Sequence, residues 1–113
     1  MIIVTASIPL AEIQIMADHS FGDMVKAVVD IQRDLVALDA ELHADLEALL
    51  IEDGSKQEHI WGINLYPALP SQDLVEFDSL INIRPRQGNP SRGVEDESIR
   101  RKILDIVAKR IKP

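Results

Sequence analysis

Hydrophobic and polar positions change period several times along the chain, and each change predicts an element. Residues 2–6 are apolar and rich in β-branched side chains, which reads as a short strand, and Pro9 then suits the first turn of a brief helix carrying Leu10, Ile13 and Met16. Residues 18–22 break that pattern. Beyond them Met24, Val25, Val28, Val29, Ile31, Leu35 and Leu38 make a broad apolar face at helical spacing, opposed by Asp23, Lys26, Asp30, Arg33 and Asp34. A second helix is expected there, with Lys26 as an ordinary solvated helix lysine.

Residues 39–47 carry two readings at once. Polar and apolar residues alternate strictly, which on a strand puts Asp39, Glu41, His43, Asp45 and Glu47 on one face. Leu38, Leu42, Leu46 and Leu49 also fall at helical spacing, and Ala, Leu and Glu favour helices. The expectation adopted is that the second helix ends near Asp39 and a strand is established by Leu49, running to Glu52. Glu52-Asp53-Gly54-Ser55 is a turn signal, and residues 60–66 alternate with Trp61, Ile63 and Leu65 on one side, so a hairpin is expected. Residues 74–83 alternate again, with Val75, Phe77, Ile81 and Ile83 opposite Glu76, Asp78 and Asn82. A last helix starts at an Asp96 N-cap and buries Ile99, Ile103, Ile106 and Val107, with Lys109, Arg110 and Lys112 at its C-terminal end.

The expected fold class is therefore α+β, in the order β-α-α-β-β-β-α: a two-layer sandwich with an antiparallel meander of three strands, helices on one face, and the N-terminal strand as an optional fourth at an edge. At 113 residues and 46% hydrophobic, the chain suits a single domain over residues 1–113.

Charge and cysteine content narrow the chemistry. With 12 basic and 19 acidic side chains the net charge is −7, which disfavours a general nucleic-acid binder and adhesion to anionic membranes. The absence of cysteine removes disulfides, thiol nucleophiles, Fe–S clusters and Cys-based zinc sites. There is no basic leader followed by an apolar core and no apolar run long enough to span a bilayer, so a cytoplasmic location is expected. The charge is split along the chain: residues 1–83 hold 3 basic and 15 acidic side chains, residues 84–113 hold 9 and 4. The bland consequence is that the basic C-terminal segment lies against the acidic remainder.

The sharper consequence concerns residues 84–93, RPRQGNPSRG. Arg84, Arg86 and Arg92 supply guanidinium forks, Asn89 and Ser91 supply further hydrogen-bonding groups, and Gly93 allows close backbone approach ahead of a helix N-terminus. Such a loop suits a phosphate or carboxylate, although it is neither a P-loop nor a dinucleotide fingerprint, and Glu95, Asp96 and Glu97 compete for its donors. The second candidate is a cluster of Glu41, His43, Asp45 and Asp78, with Glu76 beside it, whose oxygens and imidazole suit acid/base work or a divalent cation. No metal-ligand spacing, nucleophile elbow or SxxK motif is present, so no metal and no cofactor is expected. His19 and His59 read as surface histidines, and Trp61 as a core residue.

Five strings stand in one order: FGDMVKAVVDI (residues 21–31), ELHAD (41–45), EDGS (52–55), WGINLYP (61–67) and FDSLINIRPRQGNPSRGVED (77–96). Together they resemble an uncharacterised family of small prokaryotic proteins known as a domain of unknown function. The resemblance implies a compact cytoplasmic bacterial or archaeal protein and brings no activity or residue role with it. The residues themselves leave two function classes open. The leading one is a non-enzymatic binding or interaction module, compatible with a homo-oligomer, whose 84–93 loop recognises an anionic group on a small ligand or protein partner. The alternative is a small hydrolase or transferase acting on a phosphorylated metabolite, with the arginines clamping phosphate and Glu41, His43, Asp45 or Asp78 supplying acid/base or metal contacts. They differ in whether the arginines and the histidine meet in space.

Overall fold

The computed structural model describes residues 1–113 as an α+β fold in three layers. The elements are β1 (Ile2–Val4), β2 (Ile8–Pro9), α1 (Leu10–Asp18), β3 (Val25–Asp30), β4 (Leu35–Leu38), α2 (His43–Glu52), β5 (Ile60–Leu65), β6 (Val75–Glu76), α3 (Glu97–Arg110) and β7 (Ile111–Lys112), with short 3-10 turns between them. Five strands form one antiparallel sheet in the order β1-β4-β3-β5-β6. The first strand does sit at an edge, as expected. A second, two-residue parallel ladder joins β2 to β7 and ties the end of α3 to the start of α1.

The largest departure from the sequence reading lies in residues 24–38, which form the β3-β4 hairpin instead of a helix. The cause is burial on both faces. Val25, Ala27 and Val29 point into a core with Ile13 and Ala17 of α1 and Ile103, Ile106 and Val107 of α3, while Val28 and Ala37 face Leu46 and Leu50 of α2. A strand covered on both sides reads as a continuous apolar run, which periodicity cannot separate from a helix. Asp30 turns the chain. Fully buried, it accepts hydrogen bonds from the backbone N–H groups of Gln32 (2.8 Å) and Arg33 (3.0 Å) and from the Ser55 hydroxyl (2.6 Å). Asp34 closes the turn in the left-handed region, at φ 56°.

The two-layer expectation is corrected for the same reason: α1 and α3 cover one face of the sheet, and α2 covers the other. Residues 43–52 are helix, including 49–52 where a strand was expected, so the leucine spacing outweighed the polar alternation. The turn at Glu52-Asp53-Gly54-Ser55 is real but ends a helix. Gly54 takes φ 110°, and Ser55 N–H returns to the Leu50 carbonyl (2.9 Å). The three-strand meander is not formed, because residues 77–83 leave the sheet after β6. Asn82 takes the place of a continuing strand: its amide accepts from Gly62 N–H (2.8 Å) and donates to Gly62 C=O (2.9 Å). The final helix matches its expectation, with Asp96 accepting from Ser98 N–H (2.8 Å) and Ile99 N–H (3.3 Å). No helix is long and apolar enough to cross a membrane.

The expectation that basic and acidic segments pair is met in part. Arg84 approaches Glu47, Arg92 pairs with Asp78, and Lys109 pairs with Asp34. The acidic helix α2 and the basic helix α3 nevertheless lie on opposite faces of the sheet.

Candidate functional site

Strand alternation builds a polar row on the α2 side of the sheet. Leu46 and Leu50 of α2 pack over Val28, Ala37 and Ile60. Ahead of the first turn of α2 the same face carries Lys26, Asn64 and Glu76, which are direct cross-strand partners in register from β3 to β5 to β6. The helix stops short of this row, leaving a cleft of about 390 Å³. His43 and Leu42 form one wall, and Asp78, Ser79, Leu80, Ile81 and Arg92 form the other.

His43 is the first residue of α2 and is almost fully buried. Its Nε2 lies 2.8 Å from the carbonyl oxygen of Ile63. A carbonyl can only accept, so Nε2 carries the hydrogen and Nδ1 keeps a free lone pair. Burial lowers the pKa of this imidazole below its ordinary 6.5, opposed by the Ile63 hydrogen bond; the charges of Lys26 and Arg92 lower it further and that of Asp78 raises it. His43 is therefore a neutral base at pH 7.

Opposite it, Tyr66 Oη donates to Glu76 Oε1 (3.0 Å), and Asn64 Nδ2 donates to the same oxygen (2.8 Å). Desolvation raises the Tyr66 pKa above 10.0, and the hydrogen bond and charge of Glu76 add to this, so Tyr66 stays a phenol. Arg92 binds Asp78 through Nε (2.6 Å), and its two terminal nitrogens have no protein partner. The Lys26 ammonium rests 5.4 Å from the centroid of Phe21. Leu42 and Leu80 stand exposed at the mouth.

The residues of the 84–93 loop go to different places. Arg84 is partly buried, its side chain 9% exposed: it stacks 4.8 Å from the Trp61 ring centre, donates to the Ile81 and Ile60 carbonyls and lies 3.7 Å from Glu47. Asn89 is also buried, its Nδ2 donating to the carbonyls of Asn82, Ser91 and Gly93 and its Oδ1 accepting from Glu95 N–H. These two residues, with the Ser91 and Gly93 carbonyls, hold the loop's shape. Arg86 is exposed beside Glu47 in a separate hollow. The backbone donors at the start of α3 that an anion would need are occupied by the Asp96 carboxylate. Arg92 alone of the three arginines lines the cleft.

The acid/base cluster divides in the same way. His43 and Asp78 face each other across the cleft; Glu41 and Asp45 are exposed and line none of it. Sequence reasoning missed Asn64 and Tyr66 and misplaced Lys26. The usable signal was the period-two continuation of Gly62 through Asn64 to Tyr66, on the face opposite Trp61, Ile63 and Leu65.

A larger groove of about 490 Å³ lies between α3 and residues 69–75, but Lys112 is its one ionisable side chain. The polar cleft, by contrast, brings together the ionisable side chains of Lys26, His43, Tyr66, Glu76, Asp78 and Arg92. A family model described as a protein of unknown function, DUF5674, matches residues 2–110. The chain belongs to this family. The match takes in the N-terminal strand and α1 of this DUF5674 protein, which the five strings did not reach. No curated protein and no solved structure matches the DUF5674 chain.

Proposed function

We propose that the cleft binds a small phosphorylated metabolite and acts on it by acid/base chemistry, as a small hydrolase or transferase. The observation that carries this reading is that Arg92, from the basic loop, and His43, from the acidic segment, line one cavity although they are far apart in sequence. The free terminal nitrogens of Arg92 suit two phosphate oxygens, and Lys26 supplies a second positive charge from the floor. His43 holds its lone pair at Nδ1, positioned by the Ile63 carbonyl, and takes a proton from a water or a substrate hydroxyl. Tyr66 retains its proton as a donor to Glu76 and keeps that carboxylate turned away from the incoming phosphate. Arg84 and Asn89 serve by fixing the loop that presents Arg92.

The test is binding and turnover of a panel of phosphate esters. Calorimetry should find salt-sensitive binding that Arg92→Ala and Lys26→Ala each weaken about tenfold or more, and phosphate release should be lost in His43→Gln with binding retained. Binding indifferent to both cation variants would refute the reading. A non-catalytic module is the second reading, favoured by the exposed Leu42 and Leu80 at the mouth. It predicts the same binding with no turnover in the wild type.

A further inference from the structure

We infer that Asn64 is a specificity-determining residue of this cleft, and that its guest carries a hydrogen-bond donor, a hydroxyl or an ammonium, next to the anionic group. The inference rests on the proposed phosphate reading and adds the substrate class to it. Asn64 is 6% exposed and sits at the centre of the polar row. Its amide orientation is determined by its neighbours, since Nδ2 faces two acceptors, Glu76 Oε1 at 2.8 Å and the Asp78 carbonyl at 3.3 Å, and a flipped amide would set oxygen against oxygen. The other end of the amide, Oδ1, is buried and has no hydrogen-bond partner.

A buried acceptor without a donor is costly, and an amide already held by two bonds at its nitrogen cannot turn to find one. The residue directly across the ladder is Lys26, whose flexible stem can shift to admit a guest and whose ammonium is drawn toward Phe21. The remaining side chains of the floor point the same way. Glu76 and Asp78 are acceptors, so once Arg92 and Lys26 have taken the anion, the unsatisfied capacity on the Asn64 side calls for donors on the guest. A plain alkyl phosphate leaves Oδ1 unpaired, whereas a polyol phosphate or an amino-alcohol phosphate satisfies it. Sites that leave a polar group unpaired against the wrong ligand discriminate strongly.

Three probes of similar size separate these cases: n-propyl phosphate, sn-glycerol 3-phosphate and O-phosphoethanolamine. Calorimetry on the wild-type protein should show at least one donor-bearing probe binding tenfold or more tighter than n-propyl phosphate. Asn64→Ala should level the three while leaving their common dependence on Arg92. Equal wild-type affinities, or a preference that survives Asn64→Ala, would overturn the inference and leave the phosphate reading standing. If none of the three binds, the phosphate reading is what fails, and the assignment to Asn64 falls with it. Should Asn64→Ala not fold, Asn64→Val, which suits a strand and removes the amide oxygen, takes its place in the same comparison.

Discussion

Replacing Gly62 with alanine tests how the cleft wall is attached to the sheet. Gly62 lies in the middle of β5 on the α2 side, with no positive φ, so alanine suits its backbone and would by propensity gain about 0.5–1 kcal/mol. Any loss must come from contact. An added Cβ would stand 2.6 Å from both Cβ and Oγ of Ser79 and 3.1 Å from Cγ1 of Ile81, where ordinary carbon contacts need about 3.5–4.0 Å. Ser79 is buried, and its N–H is held by the Arg92 carbonyl at 3.0 Å, so it cannot simply rotate away. The segment must lift, and lifting it stretches the two hydrogen bonds by which Asn82 grips Gly62. Overpacking costs about 1–3 kcal/mol, and each weakened bond about 1 kcal/mol. Together these give a loss of about 3 kcal/mol, which for a domain of this size is a fall in Tm of roughly 10 °C or more. Urea unfolding with linear extrapolation measures it, with an unchanged m-value expected. Adding Ser79→Gly should return at least about 1 kcal/mol relative to additivity, because the clash needs both side chains. A Gly62→Ala loss below about 0.5 kcal/mol, or strict additivity with Ser79→Gly, would refute the account of this junction.

Three further outcomes follow from the buried contacts of the fold. Arg84→Ala should destabilise by about 3–5 kcal/mol in chemical denaturation, since it leaves Glu47 partly buried without its cation and empties the space over Trp61; Arg92→Ala, an exposed pair with Asp78, should cost about 1 kcal/mol or less. Burial lowers the folded-state pKa of His43 below 6.5, so the unfolded chain takes up the proton first. The stability this neutral ring contributes is complete above pH 6.5 and declines as pH falls below it, by at most about 1.4 kcal/mol per pH unit, a slope that His43→Gln should remove when unfolding is compared at pH 7.5 and 5.5. Asp30→Ala should cost about 3 kcal/mol by urea unfolding, because two turn N–H groups and the Ser55 hydroxyl lose their acceptor; a loss under 1 kcal/mol would show that the β3-β4 turn holds without it.

Several features were legible without coordinates because they depend on neighbours in the chain. The spacing of Ile99, Ile103, Ile106 and Val107 behind an Asp96 cap specifies α3, and alternation places Trp61, Ile63 and Leu65 on the face that meets α1 and α3. Breaks at residues 18–22 and 52–55 were signalled by glycines that do take positive φ. The charge split was visible as well, and three of its cross-pairs form. The hairpin of residues 24–38 was not legible, since an apolar run wet on neither face carries no period that separates strand from helix.

The candidate site belongs almost wholly to the second kind of information. His43, Asp78 and Arg92 were singled out from residue chemistry, but nothing local distinguishes Arg92, which reaches the cleft, from Arg84, which stacks over Trp61. Lys26 and Asn64 become neighbours only once β3 pairs with β5, and Glu76 joins them only through β6. The sequence by itself thus determined helix α3, the inward face of β5, the turns and the supply of charged groups, all products of short-range periodicity and backbone preference. Strand register and the layering of α2 against the sheet decided which of those groups share a cavity, because pairing across long loops depends on burying both faces of β3 and β4 at once, a condition no single segment contains.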